Sequence, residues 1–372
     1  MIRFDAGPLP GGTLFADPLD LIRADNPEDA EQALARIEAA RSAGRWLAGY
    51  LSYELGYALA PRLRRLMPAA REVPLILMGV FDAPRPAPPL PDHAGVVIGP
   101  ARPLWTRDRY DRAIQAVHRY IAAGDTYQIN LTFPMEADVA GDPLAVHAAL
   151  AARQPVGEGA FVALDGPAVL SRSPELFFAV DETGRIATRP MKGTAPRGRT
   201  PKADAAAAET LAASPKDRAE NLMIVDLLRN DISHVCVPGS VHVPRLFQVE
   251  AYATVHQMTS TVEGRLAPGT RLTDILRALF PCGSITGAPK IRAMEIIAEL
   301  EGAARGVYCG AIGWADPAGP MRFSVAIRSP VMVAPDRLRL NVGGGITHDS
   351  RAGSEWEEAL CKAAFLDLSP RG

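Results

Sequence analysis

Apolar and polar positions recur along this chain at two periods, and the switch between them marks its elements. Residues 27–43 place alanines, Leu34 and Ile37 at helical spacing, which predicts a helix. The short apolar runs 46–53 and 73–81 read as buried strands. Helical spacing returns over 107–123 and stops at Gly124-Asp125. Further helices are expected at 203–213, 217–230, 272–279, 289–300 and 354–366. Further strands are expected at 160–164, 176–180, 331–333 and 338–342. Strands and helices do not alternate as regular βαβ units, and no internal repeat is visible. The pattern predicts a mixed, layered α+β fold.

Five prolines crowd residues 84–91. They argue against helix and ladder pairing, so 83–95 is expected to be a surface connector. It either separates an N-terminal lobe, 1–82, from a catalytic region, 96–372, or is a stiff loop inside one domain.

Composition narrows the class. The 372 residues are enough for one large domain or two ordinary ones. With 48% hydrophobic and 22% charged residues, the chain is expected to be an ordinary soluble globular one. The net charge of −2 offers no basic excess for nucleic acid, and no basic amphipathic segment suits a membrane surface. The N-terminus lacks a basic segment followed by an apolar one, and no apolar run is long enough to span a bilayer. Cys236, Cys282, Cys309 and Cys361 form no CxxC pair and fit neither zinc nor a disulfide framework. A cytoplasmic location is the expectation.

Of the 40 cationic residues, only Lys192, Lys202, Lys216, Lys290 and Lys362 are lysines. Where arginine is the default cation, a lysine is informative. Lys192 stands between Met191 and Gly193, in Arg189-Pro-Met-Lys-Gly-Thr194. It is either a loop lysine in a salt bridge or an amine nucleophile, a role arginine cannot fill because it keeps its proton. Asp217 and Glu220 share a helix face at i,i+3, and Glu355 and Glu358 repeat that spacing, with Lys362 one turn on. Two such faces suit a Mg²⁺ ion with an anionic substrate, or they are solvated surfaces. Gly343-Gly-Gly345 ends an apolar run, as a cradle for an anion or as a tight turn. Arg328 follows an apolar run and would favour a carboxylate ligand. Glu175 sits at the mouth of an expected strand, where partial burial would suit a general acid. Together these describe a site for a small polyanion.

The same residues carry a family resemblance. Tyr127-Gln-Ile-Asn-Leu131, Ser173-Pro-Glu175, Arg189–Thr194, the run 216–231, Gly283-Ser-Ile-Thr-Gly-Ala-Pro-Lys290, Ile327-Arg328, Gly343–Gly345 and Glu355-Trp-Glu-Glu358 resemble the chorismate-utilising enzymes. These comprise anthranilate, aminodeoxychorismate, isochorismate and salicylate synthases. The segments run in the family's order from about 105 to 365. The resemblance implies one large unit with two antiparallel β-sheets packed between helices. It implies Mg²⁺ ligation by Glu220 and Glu358, with Asp217 and Glu355 beside them. Gly193, Thr194, Tyr308, Arg328, Gly343, Gly344 and Gly345 are implied chorismate contacts. Lys362, Gln128 and Ser284 are grouped with them, and Glu175 is implied to assist loss of the C4 hydroxyl.

Two positions separate the branches. Isochorismate and salicylate synthases carry a lysine base where this chain has Gln128, and anthranilate synthases commonly have alanine where it has Lys192. The pair Gln128 and Lys192 resembles the aminodeoxychorismate branch, with Lys192 implied to attack C2 of chorismate. The expected activity is amination of chorismate to 4-amino-4-deoxychorismate, toward 4-aminobenzoate and folate. The rivals are an anthranilate synthase large subunit and a non-catalytic subunit binding chorismate or an effector. No glutaminase nucleophile elbow is visible, so a separate glutamine amidotransferase is the expected ammonia source, and no room for a fused lyase is expected. Gln257 stands where many relatives have histidine, one position after His256. Neither is given a role.

Overall fold

The computed structural model describes residues 1–252 and 255–368. Residues 253–254 and 369–372, the last four of which end the 96–372 region, lie outside them. Two antiparallel sheets form the centre, one of 11 strands and one of 10 among the described residues.

Alternation along the strands sets the layers. In the strand Trp46–Leu51, Leu47 and Leu51 face one core while Ala48 and Tyr50 face another. Ile76–Phe81 does the same, with Ile76, Met78 and Val80 opposite Leu77 and Phe81. The second of these cores lies between the sheets, because Ile2, Phe15, Ala160 and Val162 of the 11-stranded sheet join it. The outer face of the 10-stranded sheet is covered by the helices Pro27–Ser42, Pro215–Ser233 and Leu272–Leu279. The outer face of the 11-stranded sheet is covered by Arg107–Ala122, Pro143–Arg153, Lys290–Glu301 and Ala352–Ala363. The fold is therefore α+β, with two antiparallel sheets packed between helices.

Most expected helices appear within a few residues of their expected bounds, because their ends are written locally. Pro27 opens one behind Asn26, whose N–H reaches Asp29 at 3.3 Å. Thr106 Oγ1 accepts from Arg109 N at 3.2 Å at the start of another.

Two expectations need correction. Gly343–Gly345 is not a turn but part of the strand Arg337–Ile346, paired without a break to Gln128–Ala140 from Arg337↔Asp138 to Ile346↔Ile129. Glycine is required there by close approach: a Cβ on Gly343 would stand 2.1 Å from Leu131 O. The connector also pairs after all. Arg85–Pro86 adds a two-residue strand to Thr13–Phe15. It ends the sheet, where a proline's missing N–H costs no ladder bond. Residues 1–82 contribute strands to both sheets and side chains to two of the cores they share with the rest of the chain.

Candidate functional site

The long strand Gln128–Ala140 divides its side chains strictly by face. Ile129, Leu131, Phe133 and Met135 enter the helix-covered core. Gln128, Asn130 and Thr132 are turned the other way and are buried. This face of the strand is therefore polar and buried. Gln128 is 1% exposed, and neither end of its amide has a hydrogen-bond partner among the described residues. A Cβ on Gly345 would meet Gln128 Nε2 at 2.7 Å, so the missing side chain makes room for this amide. A buried amide without partners costs free energy unless a ligand supplies them.

Glu175 lies between the strands Val169–Ser173 and Leu176–Val180 and is 4% exposed. Its backbone is fixed on both sides: its N–H donates to Ser173 Oγ at 3.2 Å, and its carbonyl accepts from Val325 N at 3.0 Å. Burial raises its carboxyl to about 7, against a hydrogen bond from Ser284 and attraction by Lys192 and Arg328. Its Oε1 has no partner. At neutral pH this group is close to half protonated, the condition for giving a proton away. Ser284 is held in the turn Gly283–Ile285, with Cys282 Sγ 3.2 Å from its hydroxyl.

Lys192 and its neighbours Gly193 and Thr194 lie on Met191–Pro196, a strand at the end of the 10-stranded sheet. Lys192 is half-buried and forms no ion pair with any described residue. Burial lowers its pKa, Glu175 opposes that, Lys362 reinforces it, and Glu220 and Glu358 oppose it again. The salt-bridged loop lysine is thereby set aside. Gly193 has φ +90°, and a Cβ there would come within 2.9 Å of Asp217. The first turns of Pro215–Ser233 are thus brought directly against the lysine strand.

Asp217 and Glu220 stand on those turns. Burial raises the Glu220 carboxyl, Lys192 and Lys216 pull it down, and Asp217 and Glu355 push it up. Glu355, Glu358 and Lys362 come from Ala352–Ala363 and reach over the glycine strand. A Cβ on Gly344 would lie 3.4 Å from both Glu355 Oε2 and Lys362 Nζ. Lys362 donates to Gly343 O at 2.7 Å and pairs with Glu358 at 2.9 Å, which holds that carboxyl below its usual range. Ser350 Oγ donates to Glu355 at 2.7 Å. The acidic faces are therefore apposed, with Lys192 and Lys362 among them. Among the described residues, no three acidic, histidine or cysteine side chains converge closely enough to hold a metal ion by themselves.

Arg328 follows the strand Met321–Val325 with φ +50°, an uncommon conformation for a residue with a side chain. Burial weighs against its charge, and Cys361, Glu175 and Tyr252 offset that only in part. It is a cation without an ion-pair partner among the described residues, facing Glu175. Tyr308 is buried, but its surroundings are Cys309, Arg305 and Glu301.

That ion pair escaped the sequence. Arg305 forks onto Glu301 at 2.7 and 2.8 Å, and Glu301 accepts from Thr132 N and Oγ1 at 2.8 and 3.0 Å. It anchors the polar strand to Lys290–Glu301; the only local signal was an i,i+4 Glu-Arg spacing. Asn221 and Gln257, which touch the lysine strand, were also missed as site residues. An open cleft of about 600 Å³, lined by Arg62, Arg65, Arg292, Glu295 and Glu299 among others, contains none of these groups.

No helix among the described residues is long and apolar enough to cross a membrane. A family model described as chorismate binding enzyme matches residues 6–367. An aminodeoxychorismate synthase of Streptomyces griseus is 46% identical over 284 residues, which is 76% of this chain and 39% of the relative. An aminodeoxychorismate synthase component 1 of Salmonella typhimurium is 47% identical over 257 residues, 69% of this chain and 56% of the relative. The matched stretch thus spans about half, or less, of these relatives' lengths. Among solved structures, anthranilate synthase component I from Streptococcus pneumoniae superposes with a TM-score of 0.80 at 25% identity, covering 95% of this chain and 91% of that one.

Proposed function

The chain belongs to the chorismate-binding enzyme family, and from that premise we propose that it aminates chorismate at C4 to give 4-amino-4-deoxychorismate. One observation carries the reading. Lys192 is a half-buried amine with no ion pair among the described residues, its pKa lowered by burial, in the same electrostatic field as a protonatable Glu175. A nucleophile needs its lone pair and a leaving hydroxyl needs a proton, and these two groups are poised to supply them.

In the proposed sequence the neutral Lys192 amine forms a bond to C2 of chorismate. The double-bond electrons shift, and the C4–O bond breaks. The hydroxyl leaves as water with the proton of Glu175. Ammonia then bonds to C4, the electrons return, and the C2–N bond to Lys192 breaks. Glu175 regains a proton as the ammonium nitrogen loses one. Arg328, with no ion pair among the described residues, would take a carboxylate of the substrate, and Gln128 and Ser284 would line its polar side.

A Mg²⁺ ion would balance the dianionic substrate. Glu220 and Glu358 are the proposed ligands, with Asp217 and Glu355 alongside. Mg²⁺ needs only one or two protein carboxylates when water and an anionic substrate complete its shell, a number that the two acidic faces offer. The component 1 name of the relatives supports a partner subunit, proposed here to be a glutamine amidotransferase delivering ammonia. A cytoplasmic location and service to 4-aminobenzoate and folate synthesis complete the proposal.

The test is mass spectrometry of products from chorismate, Mg²⁺ and ammonium with the purified chain. A 4-amino product supports the reading. A 2-amino aromatic product would assign the chain to the anthranilate branch, and binding without turnover would make it a non-catalytic subunit.

A further inference from the structure

The strand bearing Lys192 is out of step with its neighbour. Met191 pairs with Thr259 and Thr194 with Gln257, so three steps on one strand answer two on the other. The extra residue is accommodated at Lys192-Gly193, where Gly193 takes φ +90°. Such a bulge re-aims a side chain and takes a backbone group out of the ladder. That group must then find another partner. At Gly193 the partner is a side chain: Gln257 Nε2 donates to Gly193 O at 3.0 Å.

The other end of the same amide is used too. Thr194 Oγ1 donates to Gln257 Oε1 at 3.1 Å. The polarity is forced. A backbone carbonyl only accepts, so Gln257 must turn its NH₂ to Gly193 and its oxygen to Thr194. An amide oxygen also only accepts, so the one proton of the Thr194 hydroxyl points at Gln257. What remains on Thr194 for a ligand is a lone pair. Asn221, buried and adjacent to Glu220, is oriented by the same logic. Ser260 Oγ donates to Asn221 Oδ1 at 2.6 Å, which leaves Nδ2 to reach Lys192 O at 3.5 Å.

We propose that Gln257 is a positioning residue that caps the bulge carrying Lys192 and sets the Thr194 hydroxyl as an acceptor. Thr194 then receives a hydrogen bond from a hydroxyl or an incoming nitrogen of the reaction and does not bind a substrate carboxylate. The proposal deepens the amination reading and rests on Lys192 as its nucleophile.

The experiment compares Gln257→Leu, Thr194→Val and the double variant in steady-state amination, with folding checked by circular dichroism. In parallel, the pH midpoint of Lys192 carbamylation by cyanate is read by peptide mass spectrometry. Gln257→Leu is expected to lower kcat at least tenfold with KM within twofold. The double variant is expected to be no worse than the poorer single one, because the hydroxyl acts only when Gln257 orients it. The carbamylation midpoint is expected to move toward that of an ordinary lysine once the bulge is uncapped. Losses that multiply in the double variant, or a midpoint that does not move, overturn the proposal. A wild-type chain that makes no 4-amino product while the midpoint still shifts would sink the amination reading and leave the cap standing.

Discussion

Glu175→Gln is expected to stabilise the folded chain at alkaline pH while stopping turnover. The folded protein holds this carboxyl at about 7, against an ordinary value of 4.5, because burial outweighs the help from Ser284, Lys192 and Arg328. Between those two values the folded chain keeps a proton that the unfolded chain has released. Stability therefore falls as pH rises through that window and is level again above it. At ~1.4 kcal/mol per pH unit, the difference corresponds to about 3 kcal/mol. Glutamine has nearly the same shape, can still bond Ser284 and carries no charge at any pH. Its stability relative to the natural chain should therefore be about 3 kcal/mol more favourable at pH 8 than at pH 4. Urea unfolding of both chains at the two pH values measures this. Glu54, also buried and raised to about 7, titrates in the same window, and it cancels because both chains contain it. A stability difference between the two chains that stays constant with pH would refute the burial argument and, with it, the general-acid assignment.

Lys192→Ala should cut formation of the 4-amino product by at least a hundredfold while chorismate still binds, and Lys192→Arg should do no better, since a guanidinium keeps its proton; product assays and calorimetric binding check both. Chelation should stop turnover and Mg²⁺ restore it, and Glu220→Ala should lose that response while still unfolding cooperatively in urea, as a folded chain does. Glu301→Ala strands Arg305 as an unpaired buried charge and should cost about 3–5 kcal/mol in urea unfolding; a loss under 1 kcal/mol would show that water or another group replaces the carboxylate.

Local chemistry along the chain determined most of the helices and the two acidic faces, though not Pro143–Arg153, because helix hydrogen bonds, the i,i+3 spacing and capping all act within a few residues. It also marked Lys192, Glu175 and Arg328 as chemically odd for their settings. The strands were legible in short apolar runs, as at Leu176–Val180, and in the alternating run 338–342. Gln128–Ala140 alternates as well, but its polar positions Gln128, Asn130 and Thr132 are buried instead of solvated, and only the packing of the two sheets reveals that. Gly343–Gly345 could be a turn or a strand until a second strand, some 200 residues away in sequence, supplied the partner that leaves no space for a Cβ. Pairing of this kind is long-range, so no window of the sequence contains it. The same holds for the energetics of the site. A lysine's pKa falls and a glutamate's rises only when other segments remove their water, and Gln257 becomes a cap only when a bulge on the neighbouring strand frees the Gly193 carbonyl.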